Sequence, residues 1–146
     1  MAEKLGLYVH IPFCRSKCDY CDFYSLSGRE GRMDHYQKAL LAHLRETAPL
    51  TQGIPVDSVY FGGGTPTILA ARDLVAMLDA IRKIWGIAPD AEITTEANPD
   101  TVNEYYINEL AAGGFTRVSF GMQSAVPHVL KTLDRTHTPA NVAVGV

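Results

Sequence analysis

The sequence predicts an α/β fold of parallel βα repeats, and three observations carry that expectation. Short apolar runs rich in β-formers recur at 5–11, 56–61, 92–96 and 115–120. Between them lie stretches whose apolar residues fall at helical spacing. The connections are short, and glycine or proline stands at most of the junctions. Strands alternating with helices in this manner pair in parallel through right-handed crossovers, which leaves a barrel or an open sheet.

Leu5 to Ile11 forms the first run, and Pro12 stops it where a cysteine-bearing loop begins. Asp34 is the expected N-cap of a first helix that carries Tyr36, Leu40 and Leu44 on one face, reaches about Ala48 and ends before Pro49. Val56 to Phe61 reads as the second strand and leads at once into Gly62-Gly63-Gly64-Thr65-Pro66-Thr67. Leu74, Leu78, Ile81 and Trp85 then share one helical face, with Gly86 placed to cap its end. Glu92 to Glu96 is the third strand, followed by Ala97-Asn98-Pro99. Thr101 with Glu104 reads as a capping box for a helix carrying Tyr106, Ile107, Leu110 and Ala111, which stops at Gly113-Gly114. Phe115 to Phe120 is the fourth strand. Ser124 is the expected cap of a short helix from Ala125 to Leu133, and a further helical start follows His137.

A length of 146 residues with 47% hydrophobic and 20% charged content fits one globular domain with a sizeable core. A formal net charge of −3, without a run of Lys or Arg, weighs against nucleic acid or an anionic membrane surface as the main partner. No apolar stretch approaches the ~20 residues that span a bilayer. Met1 to Leu5 has neither the apolar segment of a signal peptide nor an Arg- and Ser-rich transit helix, so the free cysteines point to a reducing cytoplasm.

In either architecture, function gathers at the C-terminal ends of the strands. There the chain places its cysteine loop, its triple glycine, Glu96 and Gln123. All 3 cysteines of the protein, Cys14, Cys18 and Cys21, lie in this first loop at C-x3-C-x2-C spacing. Thiolates are soft ligands for zinc and for iron–sulfur clusters, and three so close in sequence can wrap one metal centre. On a four-iron cubane, three cysteines leave one iron without a protein ligand, and an open position distinguishes a catalytic metal site from a closed structural one. Other readings stand beside this one. His10 could complete a Cys3His zinc site, although zinc ligands usually come as two short pairs and His10 falls inside the first strand. Disulfides suit neither an odd number of cysteines nor the absence of a secretory signal. Free buried thiols are the remaining alternative.

The string Tyr8-Val9-His10-Ile11-Pro12-Phe13-Cys14-Arg15-Ser16-Lys17-Cys18-Asp19-Tyr20-Cys21-Asp22-Phe23 resembles the cluster loop of the radical S-adenosylmethionine (radical SAM) superfamily, whose signature is C-x3-C-x-aromatic-C; the aromatic here is Tyr20. It is similar to the branch of oxygen-independent coproporphyrinogen III oxidases and their relatives. Lys17 to Phe23 looks closer to the haem chaperone group of that branch, because in the oxidases a glycine and a further cysteine follow the third ligand, where this chain has Asp22 and Phe23.

The other segments follow in the family's order. Gly62 to Thr67 is neither a P-loop nor a Rossmann fingerprint. It resembles the segment that binds the methionine end of SAM, which implies contacts from Gly63, Gly64 and Thr65; glycines also let backbone approach a ligand closely. Thr94 to Pro99 resembles the setting in which a glutamate, here Glu96, contacts SAM, and Arg117 to Ser124 the one in which a glutamine, Gln123, does so. Arg135 corresponds to an arginine that meets the SAM carboxylate, for which a planar guanidinium is suited. Tyr8 would ordinarily be a core residue of its strand, yet the resemblance places it beside the sulfonium. His10 and His137 are read as structural.

The resemblance implies a partial TIM-type barrel with about four of six βα units, the chain being the N-terminal portion of the core domain. It implies a [4Fe–4S] cluster on Cys14, Cys18 and Cys21 whose open iron chelates the amino and carboxylate groups of SAM. One electron then cleaves the sulfonium to methionine and a 5′-deoxyadenosyl radical that takes hydrogen from a substrate, with the cofactor carrying the hard chemistry. Two functions follow: a haem chaperone that binds haem and SAM and delivers haem to acceptor proteins, and a coproporphyrinogen III dehydrogenase that decarboxylates propionate side chains. Each needs an electron donor. Outside the family, the alternative is a zinc-stabilised α/β binding module.

Overall fold

A computed structural model describes residues 3–28, 30–51 and 53–146; Met1 and Ala2, part of the N-terminal stretch read above, lie outside the described residues. The chain runs β1 (Leu5–Ile11), β2 (Phe13–Cys14), β3 (Leu26–Ser27), α1 (Met33–Thr47), β4 (Val56–Gly63), α2 (Ala71–Trp85), β5 (Ile87–Ala97), α3 (Glu104–Ala112), β6 (Arg117–Phe120), α4 (Pro127–Thr132) and α5 (Pro139–Gly145). β1, β4, β5 and β6 form one sheet in that order, all pairs parallel. A doubly wound sheet reverses its strand order about the first strand. Here each new strand adds on the same side, so the crossover helices cover one face and the sheet is the wall of a partial barrel.

Alternation along the strands sorts the side chains. Val9, Ile11, Val59, Phe61 and Ile93 are buried with Leu44, Leu74, Leu78, Ile81 and Leu110 in one core between sheet and helices. Burial of each such side chain contributes roughly 1.5–3 kcal/mol. The helical spacing of Leu74, Leu78 and Ile81 therefore does what the sequence predicts, and Gly86 follows α2 as its C-cap. The opposite face carries Tyr8, Tyr60 and Thr94 in one register row and Glu96 beyond it, which makes the inner wall polar and aromatic.

Several boundaries differ from expectation for local reasons. A 3-10 turn over Glu30–Arg32 runs directly into α1, so Asp34 lies inside the first turn and does not cap it. The cap of α3 is Asn103, which accepts from the Tyr106 N–H at 2.9 Å. Thr101 is engaged elsewhere: its hydroxyl donates to the Asn98 carbonyl at 2.7 Å and lies 2.6 Å from Thr67 Oγ1. Ser124 accepts from the Val126 N–H at 3.0 Å in a turn ahead of α4, and α4 begins only at Pro127. β5 starts at Ile87, well before Glu92, because Ile87 pairs with Val56 across a register shift. β6 is shorter than read, since the Thr116 N–H already closes on the Ile93 carbonyl before the strand begins at Arg117. Among the described residues no helix is long and apolar enough to cross a membrane.

Candidate cofactor site

Beyond β1 the chain enters the cysteine loop through Pro12. Two short strands clip the loop at its base: β2 pairs in parallel with β3, and the Leu26 N–H donates to the Pro12 carbonyl at 2.6 Å. Inside it, the Cys21 N–H donates to the Cys18 carbonyl at 3.0 Å, a turn that sets two of the thiols. The glycine segment, which begins in the last two residues of β4, lies alongside, with Gly64 N–H donating to Ile11 O at 2.8 Å and Thr65 N–H to Phe13 O at 2.7 Å.

This apposition explains the glycines. A Cβ on Gly64 would stand 2.5 Å from the Phe13 carbonyl oxygen, and one on Gly63, at φ +111°, would stand 2.5 Å from the His10 ring. The close approach that the sequence suggests toward a ligand is made in the first instance to the protein's own cysteine strand.

A cavity of about 330 Å3 opens at this edge of the sheet and is lined by Cys14, Cys18, Cys21, Tyr20, Gly63, Gly64, Thr65, Glu96, Gln123 and Arg135. The residues singled out from five separate segments thus meet at one mouth. Tyr8 does not line it. It stands on the inner wall, 60% exposed, its ring stacked on Tyr60 with centroids 6.1 Å apart. Burial pushes its phenol up, with a further push from the charge of Glu96. Its hydroxyl lies 3.0 Å from His10 Nδ1, and His10 Nε2 lies 3.0 Å from the Tyr24 carbonyl. A carbonyl only accepts, so Nε2 carries the proton and Nδ1 accepts from Tyr8. Both ring nitrogens of His10 are thereby used inside the wall.

Glu96 is held from two sides. The Tyr60 hydroxyl donates to Oε1 at 2.8 Å, and the Gly63 N–H donates to Oε2 at 3.2 Å. Burial and this bond to a carboxylate both push the Tyr60 phenol up. Arg135 is fixed more extensively. Nη2 donates to Asn98 Oδ1 at 2.8 Å and to the Gly121 carbonyl at 2.7 Å, while Nη1 reaches Tyr20 Oη at 3.4 Å and Cys18 Sγ at 3.6 Å. Its Nε is buried and without a hydrogen-bond partner among the described residues. Burial raises the Tyr20 phenol, partly offset by the Arg135 charge. Gln123 has φ +60°, a left-handed conformation uncommon for a residue with a Cβ. The preceding Met122 carbonyl accepts from Nε2 of the buried His137 at 3.0 Å, so His137 serves the backbone.

Sequence reasoning did not single out Tyr60 or Asn98. Tyr60 is an ordinary strand tyrosine by pattern, and Asn98 follows a strand end. Their importance comes from partners 36 and 37 residues away, for which there is no local signal.

Fold and site together define a barrel-type protein that brings a three-thiol loop against polar groups on the following strand ends. The radical SAM superfamily model matches residues 8–144, and the chain belongs to that superfamily, which as a class uses SAM and a [4Fe–4S] cluster. The heme chaperone HemW of Mycobacterium tuberculosis (strain CDC 1551 / Oshkosh) is 42% identical over 144 residues, which is 97% of this chain and 37% of that protein. The anaerobilin synthase of Escherichia coli O157:H7 is 37% identical over 136 residues, 92% of this chain and 31% of that protein. The structure of coproporphyrinogen III oxidase (HemN) from Escherichia coli, described as a radical SAM enzyme, superposes with a TM-score of 0.89 at 32% identity, covering 97% of this chain and 33% of that one. The chain therefore spans about a third of the length of each of these relatives.

The residues present fit such a cluster. The three thiols are free and share one cavity. Among the described residues no three His, Cys, Asp or Glu side chains close around a single ion, and a cluster, being larger than one ion, takes its thiolates farther apart. Thr65 Oγ1 donates toward Cys14 Sγ at 3.6 Å, as Arg135 does toward Cys18, and donors aimed at sulfur tune iron–sulfur centres.

Proposed function

We propose that Cys14, Cys18 and Cys21 hold a [4Fe–4S] cluster with one iron open to SAM, and that the protein is a haem chaperone-type member of the superfamily. The observation that carries the first part is the single cavity in which the three thiols meet Glu96, Gln123 and Arg135. When bound, cluster and SAM supply one-electron cleavage of the sulfonium. The chain's own residues bind and orient. Arg135, whose guanidinium lines the cavity, meets the SAM carboxylate. Glu96, fixed by Tyr60 and Gly63, presents its remaining acceptor capacity to an ammonium or to ribose hydroxyls. Gln123 offers an amide to ribose or adenine edges, and the backbone of Gly63 to Thr65 lines the methionine end. Tyr8, placed beside the sulfonium by the resemblance, is stacked on the Tyr60 ring of the same inner wall.

The chaperone reading is supported by Asp22-Phe23 after the third cysteine and by the similarity to the heme chaperone named above. It implies haem as ligand, an electron donor for the cluster and haem-acceptor proteins as partners. The porphyrin-decarboxylating alternative is favoured by the close superposition on the coproporphyrinogen oxidase. The zinc-module reading would take His10 as its fourth ligand, and the hydrogen bonds of both His10 nitrogens, to Tyr8 and to the Tyr24 carbonyl, support the cluster reading over it. Haem titration of the full-length protein, run beside an anaerobic assay with coproporphyrinogen III and SAM, separates the first two. The proposal expects haem retained through gel filtration and no decarboxylation; turnover of coproporphyrinogen overturns it.

A further inference from the structure

Asn98 stands between two of the three thiols. Its amide nitrogen donates to Thr65 Oγ1 at 3.4 Å, and that hydroxyl donates toward Cys14 Sγ at 3.6 Å. Its amide oxygen accepts from Arg135 Nη2 at 2.8 Å, and Nη1 of the same guanidinium points to Cys18 Sγ at 3.6 Å. One side chain thus anchors the donor that serves Cys14 with one end and the donor that serves Cys18 with the other. The two ends differ in kind, so the amide's orientation is set: only the nitrogen can donate to a hydroxyl already committed to sulfur, and only the oxygen can accept from arginine. The backbone braces the arrangement, because the Thr101 N–H donates to the Asn98 carbonyl at 3.0 Å and the Thr101 hydroxyl donates to the same oxygen at 2.7 Å.

We infer that Asn98 is a positioning residue that sets the reduction potential of the cluster by aiming Thr65 and Arg135 at the Cys14 and Cys18 sulfurs. Hydrogen bonds to ligand sulfurs stabilise the reduced, more negative state and raise the potential; removing their common anchor lowers it. The inference rests on the reading that these thiols carry the cluster. If that reading fails, the wild-type protein holds no iron or sulfide; if only the role of Asn98 fails, the loaded wild type is normal and the variants below do not behave as expected.

The test is an EPR-monitored redox titration of the reconstituted full-length protein without SAM, with iron and sulfide counted in every sample. Asn98→Ala is expected to keep wild-type iron content and to shift the midpoint potential to more negative values. Thr65→Val is expected to shift it the same way, and the double variant to shift it by less than the sum, because both act on Cys14 through one hydroxyl. An unchanged potential in a fully loaded Asn98→Ala protein, or shifts that add in full, overturns the inference. Should Asn98→Ala lose its cluster, Asn98→Asp decides: it keeps the acceptor for Arg135 and loses the donor to Thr65. Its negative shift must then shrink in the Thr65→Val background, and a shift that persists there in full is a field effect of the added charge and contradicts the assignment.

Discussion

Tyr60 donates its hydroxyl proton to Glu96 Oε1 at 2.8 Å, from one strand of the barrel wall to the end of the next. The bond leaves the carboxylate aimed into the cavity, and the ring beneath it is stacked on Tyr8. Tyr60→Phe keeps the ring and removes only the donor. A hydrogen bond of this kind contributes about 1 kcal/mol net, so SAM affinity is expected to fall roughly 5-fold. Equilibrium dialysis of the reconstituted full-length protein with SAM checks it.

Gly64 admits no side chain. The atoms a methyl would meet are the Phe13 backbone oxygen, at 2.5 Å, and nitrogen, at 2.9 Å, and neither belongs to a flexible side chain. Gly64→Ala is expected to destabilise by about 1–3 kcal/mol and to lower cluster content, since the strand it displaces leads into Cys14. Denaturant unfolding and iron analysis read the two effects separately.

Arg135 satisfies Asn98 and the Gly121 carbonyl with one nitrogen and reaches toward Tyr20 and Cys18 with another. A lysine ammonium has the charge without the fork. Arg135→Lys is expected to weaken SAM binding about tenfold, equivalent to ~1.4 kcal/mol, by calorimetric titration.

Burial pushes the Tyr106 phenol far above its usual range, helped by the charges of Glu109 and Asp73, and its hydroxyl donates to the Leu69 carbonyl at 2.8 Å. A folded value above the unfolded one means that the neutral phenol is favoured by the fold. Its contribution is complete below about pH 10, the unfolded value, and is lost as pH rises beyond it. Urea unfolding between pH 8 and about 11 should show that decline, and Tyr106→Phe should flatten it.

What the sequence conveys is what local pattern can encode. The runs at Leu5–Ile11 and Val56–Phe61 and the spacing of Leu74, Leu78 and Ile81 depend only on near neighbours and a buried face; the structure carries the first run and the helical spacing as read and extends the second strand to Gly63, through two of the glycines that pattern assigns to a loop. Caps are less legible because several polar residues compete for each one. Thr101 had the right spacing to Glu104, yet Asn103 won the α3 cap once Thr101 had bonded Asn98. The clip of β2 on β3 is two residues long on each side and has no periodicity to detect. At the site, the cysteines announce themselves by spacing. Tyr60 and Asn98 gain their roles from contacts across strands, which pattern does not encode.

The most direct test is anaerobic reconstitution of the full-length protein with iron and sulfide, followed by EPR of the reduced sample with and without SAM. The account predicts a cluster signal that changes when SAM is added and that is lost in Cys18→Ala. A folded full-length protein that takes up zinc and forms no sulfide-containing cluster would contradict it.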